Sequence, residues 1–296
     1  MNGWFKAKPA LAVKQLLERR NQEKEDAIES ADRRGVKRFF ALSLAVVAAF
    51  AGLQLPQRAR AMVGGAPPAP AEFGRSIVMI LGSAGTACTA TAIGRDLLIT
   101  AAHCVQPGSD YKLLGSEPGQ TPVLKSIVRI ERHPQFDIKR LFNHLATADV
   151  ALIKLAEPLP ARIAPALIAG GGDTVAVGDS LVVAGYGVTV RGDGRTGGTA
   201  RVASLVVTGQ PGPLQIRLFD PAGKALSPGL GACAGDSGAP AFRLSGGALA
   251  ILGVVSWSTG PNLTTGCGGL TGITPLARYR SWIVDTARNL GTALAP

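Results

Sequence analysis

From Met62 to about residue 276 the chain is broken by glycine, proline, aspartate or serine into apolar runs too short for stable isolated helices. The runs at 77–81, 97–100, 123–130, 150–155, 180–184, 201–207, 214–219 and 249–257 are rich in β-branched residues and read as strands. With 38 Gly and 20 Pro in 296 residues, tight turns are plentiful, and a helical bundle is excluded. Only the tail has helical spacing: Tyr279, Trp282, Ile283 and Leu290 recur three to four apart before Gly291. No repeat longer than a strand is visible. The pattern predicts an all-β body of barrels or sandwiches with one closing helix.

The residues before Met62 have a different texture. Residues 39–55 carry no charge, follow Arg33, Arg34, Lys37 and Arg38, and precede Ala59-Arg60-Ala61. A basic flank, an apolar core and a small-x-small site in that order describe an export signal cut after Ala61. The expected organisation is a basic leader at 1–38, a signal core and cleavage site at 39–61, and one folded domain at 62–296. A retained membrane anchor is the alternative, since the run is close to the roughly 20 residues that span a bilayer. Residues 1–32 include a mixed-charge solvated stretch with no assigned role. The net charge of +11 is not a nucleic-acid signal: 12 Lys/Arg against 6 Asp/Glu lie in residues 1–61, and the remaining basic residues are scattered. Secreted or periplasmic localisation is expected, with only transient membrane contact unless the anchor is kept.

All four cysteines, Cys88, Cys104, Cys233 and Cys267, lie beyond the cleavage site, so export would carry an even set into an oxidising space. Three pairings are open. The neighbour pairing would close loops worth roughly 3 to 4 kcal/mol each on chain-entropy grounds. No C-x-x-C spacing or histidine pair supports a zinc site, and no metal or cofactor is expected. No acidic loop cluster suggests calcium. Asn262-Leu263-Thr264 fits a glycosylation sequon, relevant only in a glycosylating secretory route.

Three separate stations carry the chemistry. His103 ends the run Ile99-Thr100-Ala101-Ala102, Asp149 opens Val150-Ala151-Leu152-Ile153-Lys154-Leu155, and Ser237 lies in Cys233-Ala234-Gly235-Asp236-Ser237-Gly238-Ala239-Pro240. Each alone suits a turn or a strand end. Together they supply what nucleophilic acyl transfer needs: a weakly acidic hydroxyl, an imidazole to take its proton, and a carboxylate to fix the imidazole's tautomer. Gly235 lets the backbone N–H groups of Gly235 and Ser237 approach one point, as an oxyanion hole requires. The order His, Asp, Ser, with Ala239 where an α/β-hydrolase elbow wants glycine, disfavours that fold. His133 and His144 read as turn residues.

With these residues in place, the chain resembles secreted, bacterial-type serine endopeptidases of the chymotrypsin/trypsin family, through TAAHC, DVALIKL and GDSGAP in the family's order over residues 62–290. The resemblance implies two six-stranded antiparallel β-barrels with the active site between them and a C-terminal helix. It implies Ser237 as nucleophile, His103 as general base then acid, Asp149 as its orienting partner, and bridges Cys88–Cys104 and Cys233–Cys267. Ala184-Gly185-Tyr186-Gly187 matches a family strand-turn, and Ser256-Trp257-Ser258 a substrate-binding strand. By the same resemblance Met62-Val63-Gly64-Gly65 stands where relatives have an activating N-terminus, with Asp236 as its partner. Gly231 stands at the base of the primary specificity pocket, where no carboxylate would greet Arg or Lys. Small or medium apolar residues are expected before the cut, and Gly269 and Gly272 compete for one place on the pocket's far wall. Protein or peptide substrates and a monomeric enzyme are expected. The rival reading is a catalytically silent relative that binds peptides in the same cleft.

Overall fold

Alternate residues along β1 (Ile77–Gly82) point to opposite sides, and both sides are buried. Val78 and Ile80 face one apolar cluster and Ile77 another. β3 (Leu97–Thr100) and β6 (Ala151–Leu155) split the same way: Leu98, Ala151 and Ile153 turn inward, while Leu97, Ile99 and Leu152 turn out. Strands buried on both faces need a barrel with a second layer against it.

The computed structural model describes residues 62–115, 123–245 and 248–294, all within one unit, Ala59–Pro296. β1 to β6, which include β2 (Ala87–Ala92), β4 (Tyr111–Gly115) and β5 (Val123–Arg132), close an antiparallel barrel in the order β1-β2-β3-β6-β5-β4. A two-residue strand, β7 (Leu167–Ile168), then pairs in parallel with Ala250 and Ile251. The second barrel contains β8 (Ser180–Gly185), β9 (Arg201–Thr208), β10 (Ile216–Phe219), β11 (Pro240–Ser245), β12 (Ala248–Ser258) and β13 (Leu270–Pro275). It runs β11-β8-β9-β10-β13-β12 and closes because the long β12 pairs with β11 along its first half and with β13 along its second.

A third apolar cluster joins the barrels. Ile77, Leu97, Ile99 and Leu152 from the first meet Ala184, Phe242, Ile251 and Val254 from the second, together with Leu276, Tyr279, Ile283 and Ala287. The last three residues belong to a 3₁₀ turn and to the helix Arg280–Asn289, so the closing helix seals the interface between barrels. Beyond it, Thr292 accepts from Lys154 Nζ at 2.6 Å and donates to Asp96 at 2.7 Å, while Lys154 also reaches Asp96 at 2.7 Å. Burial opposes ionisation of Asp96, but the bonds from Lys154 and Thr292 outweigh it and hold the carboxyl below its usual value.

Cys88 is bonded to Cys104 and Cys233 to Cys267. Five strands lacked a sequence signal. β2 reads Ala-Cys-Thr-Ala-Thr-Ala and alternates threonine with small residues only; β4, Tyr-Lys-Leu-Leu-Gly, has no β-branched residue; β7 is two residues long; β11 begins at proline; β13 contains Gly272 and ends at Pro275. Among the described residues no helix is long and apolar enough to cross a membrane. The leader and the run at 39–55 lie outside the described residues.

Candidate active site

His103 sits in a 3₁₀ turn, Ala102–Val105, immediately beyond β3, and Asp149 lies just before β6, which pairs with β3. Strand pairing therefore brings together two residues 46 apart in sequence. Asp149 is fully buried and accepts two bonds from His103: one from the backbone N–H at 2.9 Å and one from the ring Nδ1 at 2.7 Å. A carboxylate only accepts, so Nδ1 carries the ring proton and Nε2 presents its lone pair. The Ser256 hydroxyl, from β12 of the second barrel, donates to Asp149 Oδ2 at 2.6 Å. His103, Asp149 and Ser256 thus form a hydrogen-bonded group that spans both barrels.

The Cys233–Pro240 segment reaches the same place from the other side. The backbone N–H of Thr89 donates to the Ser237 carbonyl at 2.9 Å, and the Thr89 hydroxyl donates to the Gly235 carbonyl at 2.9 Å. Thr89 is held in turn by Thr100, whose hydroxyl donates to its carbonyl at 2.8 Å. At Gly238, where φ is +78°, an added Cβ would lie 2.1 Å from Thr100 Oγ1 and 2.9 Å from the nitrogen of Ala101. The serine turn therefore presses against the strand that leads into His103. Ser237 is half-buried, and among the described residues no hydrogen bond joins its hydroxyl to His103. Gly235 has φ +95° and packs against Gly187 too closely for a side chain. Among the described residues, the backbone N–H groups of Gly235 and Ser237 have no acceptor.

Asp236 is wholly buried. Its carboxylate accepts from the N–H of Gly187 at 2.8 Å and of Cys233 at 2.9 Å, and burial pushes its pKa up to about 7 against the pull of those two bonds. A Cβ at Gly185 or Gly187 would come within 2.3 Å of its oxygens, which gives both glycines of the Ala184–Gly187 turn a physical reason. Met62 is also fully buried, in the core of the second barrel, and Val63 bridges Gly231.

Around the pocket, Gly231 leaves room opposite Gly268 and the Thr271 hydroxyl, each about 3.3 to 3.4 Å from where its Cβ would be. Gly272 faces Trp257, whose ring would overlap any Cβ there, whereas Gly269 abuts the Gly260 carbonyl. Gly272 is thus the one that lies beneath the indole. The Ser258 hydroxyl turns to the Gly266 carbonyl at 3.3 Å. The Sγ of Cys104 lies 3.8 Å from His103 Nε2, and among the described residues Cys88, His103 and Cys104 could converge on a metal; both sulfurs are spent in one disulfide and offer no thiolate.

His133, outside this group, makes edge contacts with Tyr279 and Trp282, and burial together with the Arg278 charge lowers its pKa. His144 is exposed at the end of a short helix, Ile138–Phe142. Sequence reasoning missed Thr89, a buried threonine in an unpatterned strand, and the bond from Ser256 to Asp149.

The family profile described as Trypsin matches residues 62–283. Human Kallikrein-11 is 27% identical over 213 residues, which cover 68% of this chain and 72% of that protein. Transmembrane protease serine 9 of Rattus norvegicus is 27% identical over 254 residues, 79% of this chain but only 23% of that much longer protein. Both relatives are mammalian, so neither supports a bacterial source. With its two barrels, its hydrogen-bonded His103–Asp149 pair and the profile match over residues 62–283, the chain belongs to the trypsin family of serine proteases.

Proposed function

We propose that Ser237 is the nucleophile of an exported endopeptidase, with His103 taking its proton and Asp149 fixing the ring. Ser256 is a poor candidate for attack because it is buried and its proton points to Asp149, not to Nε2. The observation that carries the reading is the pair of N–H groups at Gly235 and Ser237, left without acceptors on a turn pinned by Thr89. Such donors stabilise the oxyanion as it forms. Ser237 Oγ attacks the scissile carbonyl carbon while its proton passes to Nε2. The imidazolium then protonates the leaving amine as the tetrahedral intermediate collapses, and water repeats the sequence to free the acid.

Gly231 itself brings no carboxylate to the floor of the primary pocket that the resemblance implies, which supports cleavage after small or medium apolar residues and against Arg or Lys. Export cut after Ala61 would leave Met62 as the N-terminus, its ammonium free to pair with Asp236 and order the oxyanion turn. The burial of Met62 and the closeness of Gly64, where an added Cβ would lie 2.3 Å from Gly229, support this origin of the mature chain. The product would be a secreted or periplasmic monomer without a cofactor.

The test is intact-mass analysis after exposure to a fluorophosphonate. The parent and Ser256→Ala should each gain one adduct, and Ser237→Ala none. Labelling of Ser237→Ala at the parent's rate overturns the assignment. The same spectra read the mature N-terminus, expected at Met62.

A further inference from the structure

Ser76, immediately before β1, is only 4% exposed, and among the described residues its hydroxyl has no hydrogen-bond partner. A buried hydroxyl left unmet costs free energy, and nearly all such groups in folded proteins find a partner. Ser76 lines a cavity of about 660 Å³, a size that suits a small organic molecule. None of His103, Asp149, Ser237 or Ser256 lines it.

Both barrels and the segment between them build the walls. The Ala92 N–H donates to the Ser76 carbonyl at 2.8 Å, the Ala164 N–H to the Arg75 carbonyl at 2.9 Å, and the Ala166 N–H to the Ala92 carbonyl at 2.8 Å. Leu167 of β7 pairs with Ala250 of β12, and Val182 of β8 with Phe242 of β11. Phe73, from the short helix Ala71–Gly74, lies against Phe242 with ring centroids 5.9 Å apart and planes tilted by 49°. The lining is therefore apolar and partly aromatic, with Leu249 completing it.

Two opposite charges stand free beside this lining. Glu72 and Arg75 are three residues apart on and just past the short helix, and both are exposed. Among the described residues neither side chain is paired, with the other or with anything else. The cavity's second cation, Arg243, is already spent on the Thr174 carbonyl at 2.7 Å and on Asp179. One free anion, one free cation, an aromatic wall and an unmet buried hydroxyl are complementary to a zwitterion that carries a hydroxylated ring.

We propose that this cavity binds a free aromatic amino acid of the tyrosine type. Its carboxylate pairs with Arg75 and its ammonium with Glu72, its ring lies along Phe73 and Phe242, and its phenol bonds to Ser76. Isothermal titration calorimetry on the full-length protein tests this with four probes: L-tyrosine, L-phenylalanine, tyramine and 3-(4-hydroxyphenyl)propanoate. Tyrosine should bind with a Kd below about 1 mM. Each probe that lacks one polar group should bind about five- to tenfold more weakly. Ser76→Ala should weaken tyrosine to the level of phenylalanine and leave phenylalanine unchanged. Arg75→Gln should make tyrosine and tyramine equal, and Glu72→Gln tyrosine and the propanoate. The last two substitutions change exposed side chains and leave the core untouched. Ser76→Ala should unfold at or above the parent's temperature, because it removes an unmet hydroxyl. The proposal is overturned by no tyrosine binding at about 2 mM, or by phenylalanine binding as tightly as tyrosine. Tyrosine binding that none of the three substitutions moves places it elsewhere, as in the cleft, and also overturns it. So does a marked fall in the unfolding temperature of Ser76→Ala, since the hydroxyl would then have its partner within the fold.

Discussion

Ser256 donates its hydroxyl proton to the same Asp149 oxygen that accepts His103 Nδ1, at 2.6 Å and 2.7 Å. A buried carboxylate so far from water needs every donor it can get, and here the second barrel supplies one to a residue of the first. Ser256→Ala should therefore lower kcat/KM by about tenfold, of the size expected for one hydrogen bond to a charged group. Steady-state hydrolysis of a short ester measures it, and activity unchanged within twofold contradicts the role. Asp149→Asn should cost about 10⁴ in kcat, as in other Ser-His-Asp proteases.

Asp236 gives a pH dependence whose sign can be worked out. Its carboxyl titrates near 3.8 when unfolded and at about 7 in the fold, so the native state favours the neutral acid. The unfolded chain loses its proton first, and stability of the uncut protein should decline as pH rises from about 4 to 7, by on the order of 4 kcal/mol at the limit. Denaturant unfolding of uncut Ser237→Ala across that range should show the decline, and adding Asp236→Asn should flatten it. A mature chain whose Met62 ammonium pairs with Asp236 should lose the slope as well.

Gly238 has no space for a side chain between Thr100 and Thr89. Gly238→Ala should destabilise the protein by roughly 2 to 4 kcal/mol through backbone strain and steric overlap. It should also slow fluorophosphonate labelling at temperatures where the variant remains folded, because the turn bearing Ser237 can no longer seat against the strand before His103. Thermal unfolding and labelling rate report the two effects separately.

Pocket chemistry is tested by Gly231→Asp. A carboxylate at the pocket floor should raise the ratio of Arg to Ala turnover by at least tenfold, since an entering guanidinium gains a counter-charge. The contacts to Gly268 and Thr271 at about 3.3 to 3.4 Å must yield slightly. Parallel kcat/KM measurements on Arg and Ala peptides decide it.

What was legible in the sequence was whatever is contiguous. His103, Asp149 and Ser237 stand in short stretches of characteristic composition, and β3 coincides with the run at 97–100. Burial on both faces hid β2, because a strand that alternates small residues with threonine has no polar side to betray its period. Thr89 went unnoticed for the same reason, although it fastens both Gly235 and Ser237 to the first barrel. The roles of Gly185 and Gly187 depend on a carboxylate some fifty residues away, which no local pattern reveals.

Thr292 ties the segment beyond the closing helix to Asp96 and Lys154 of the first barrel. The helix that packs between the two barrels is therefore tethered past its end as well as along its buried face, and it should resist fraying from that side.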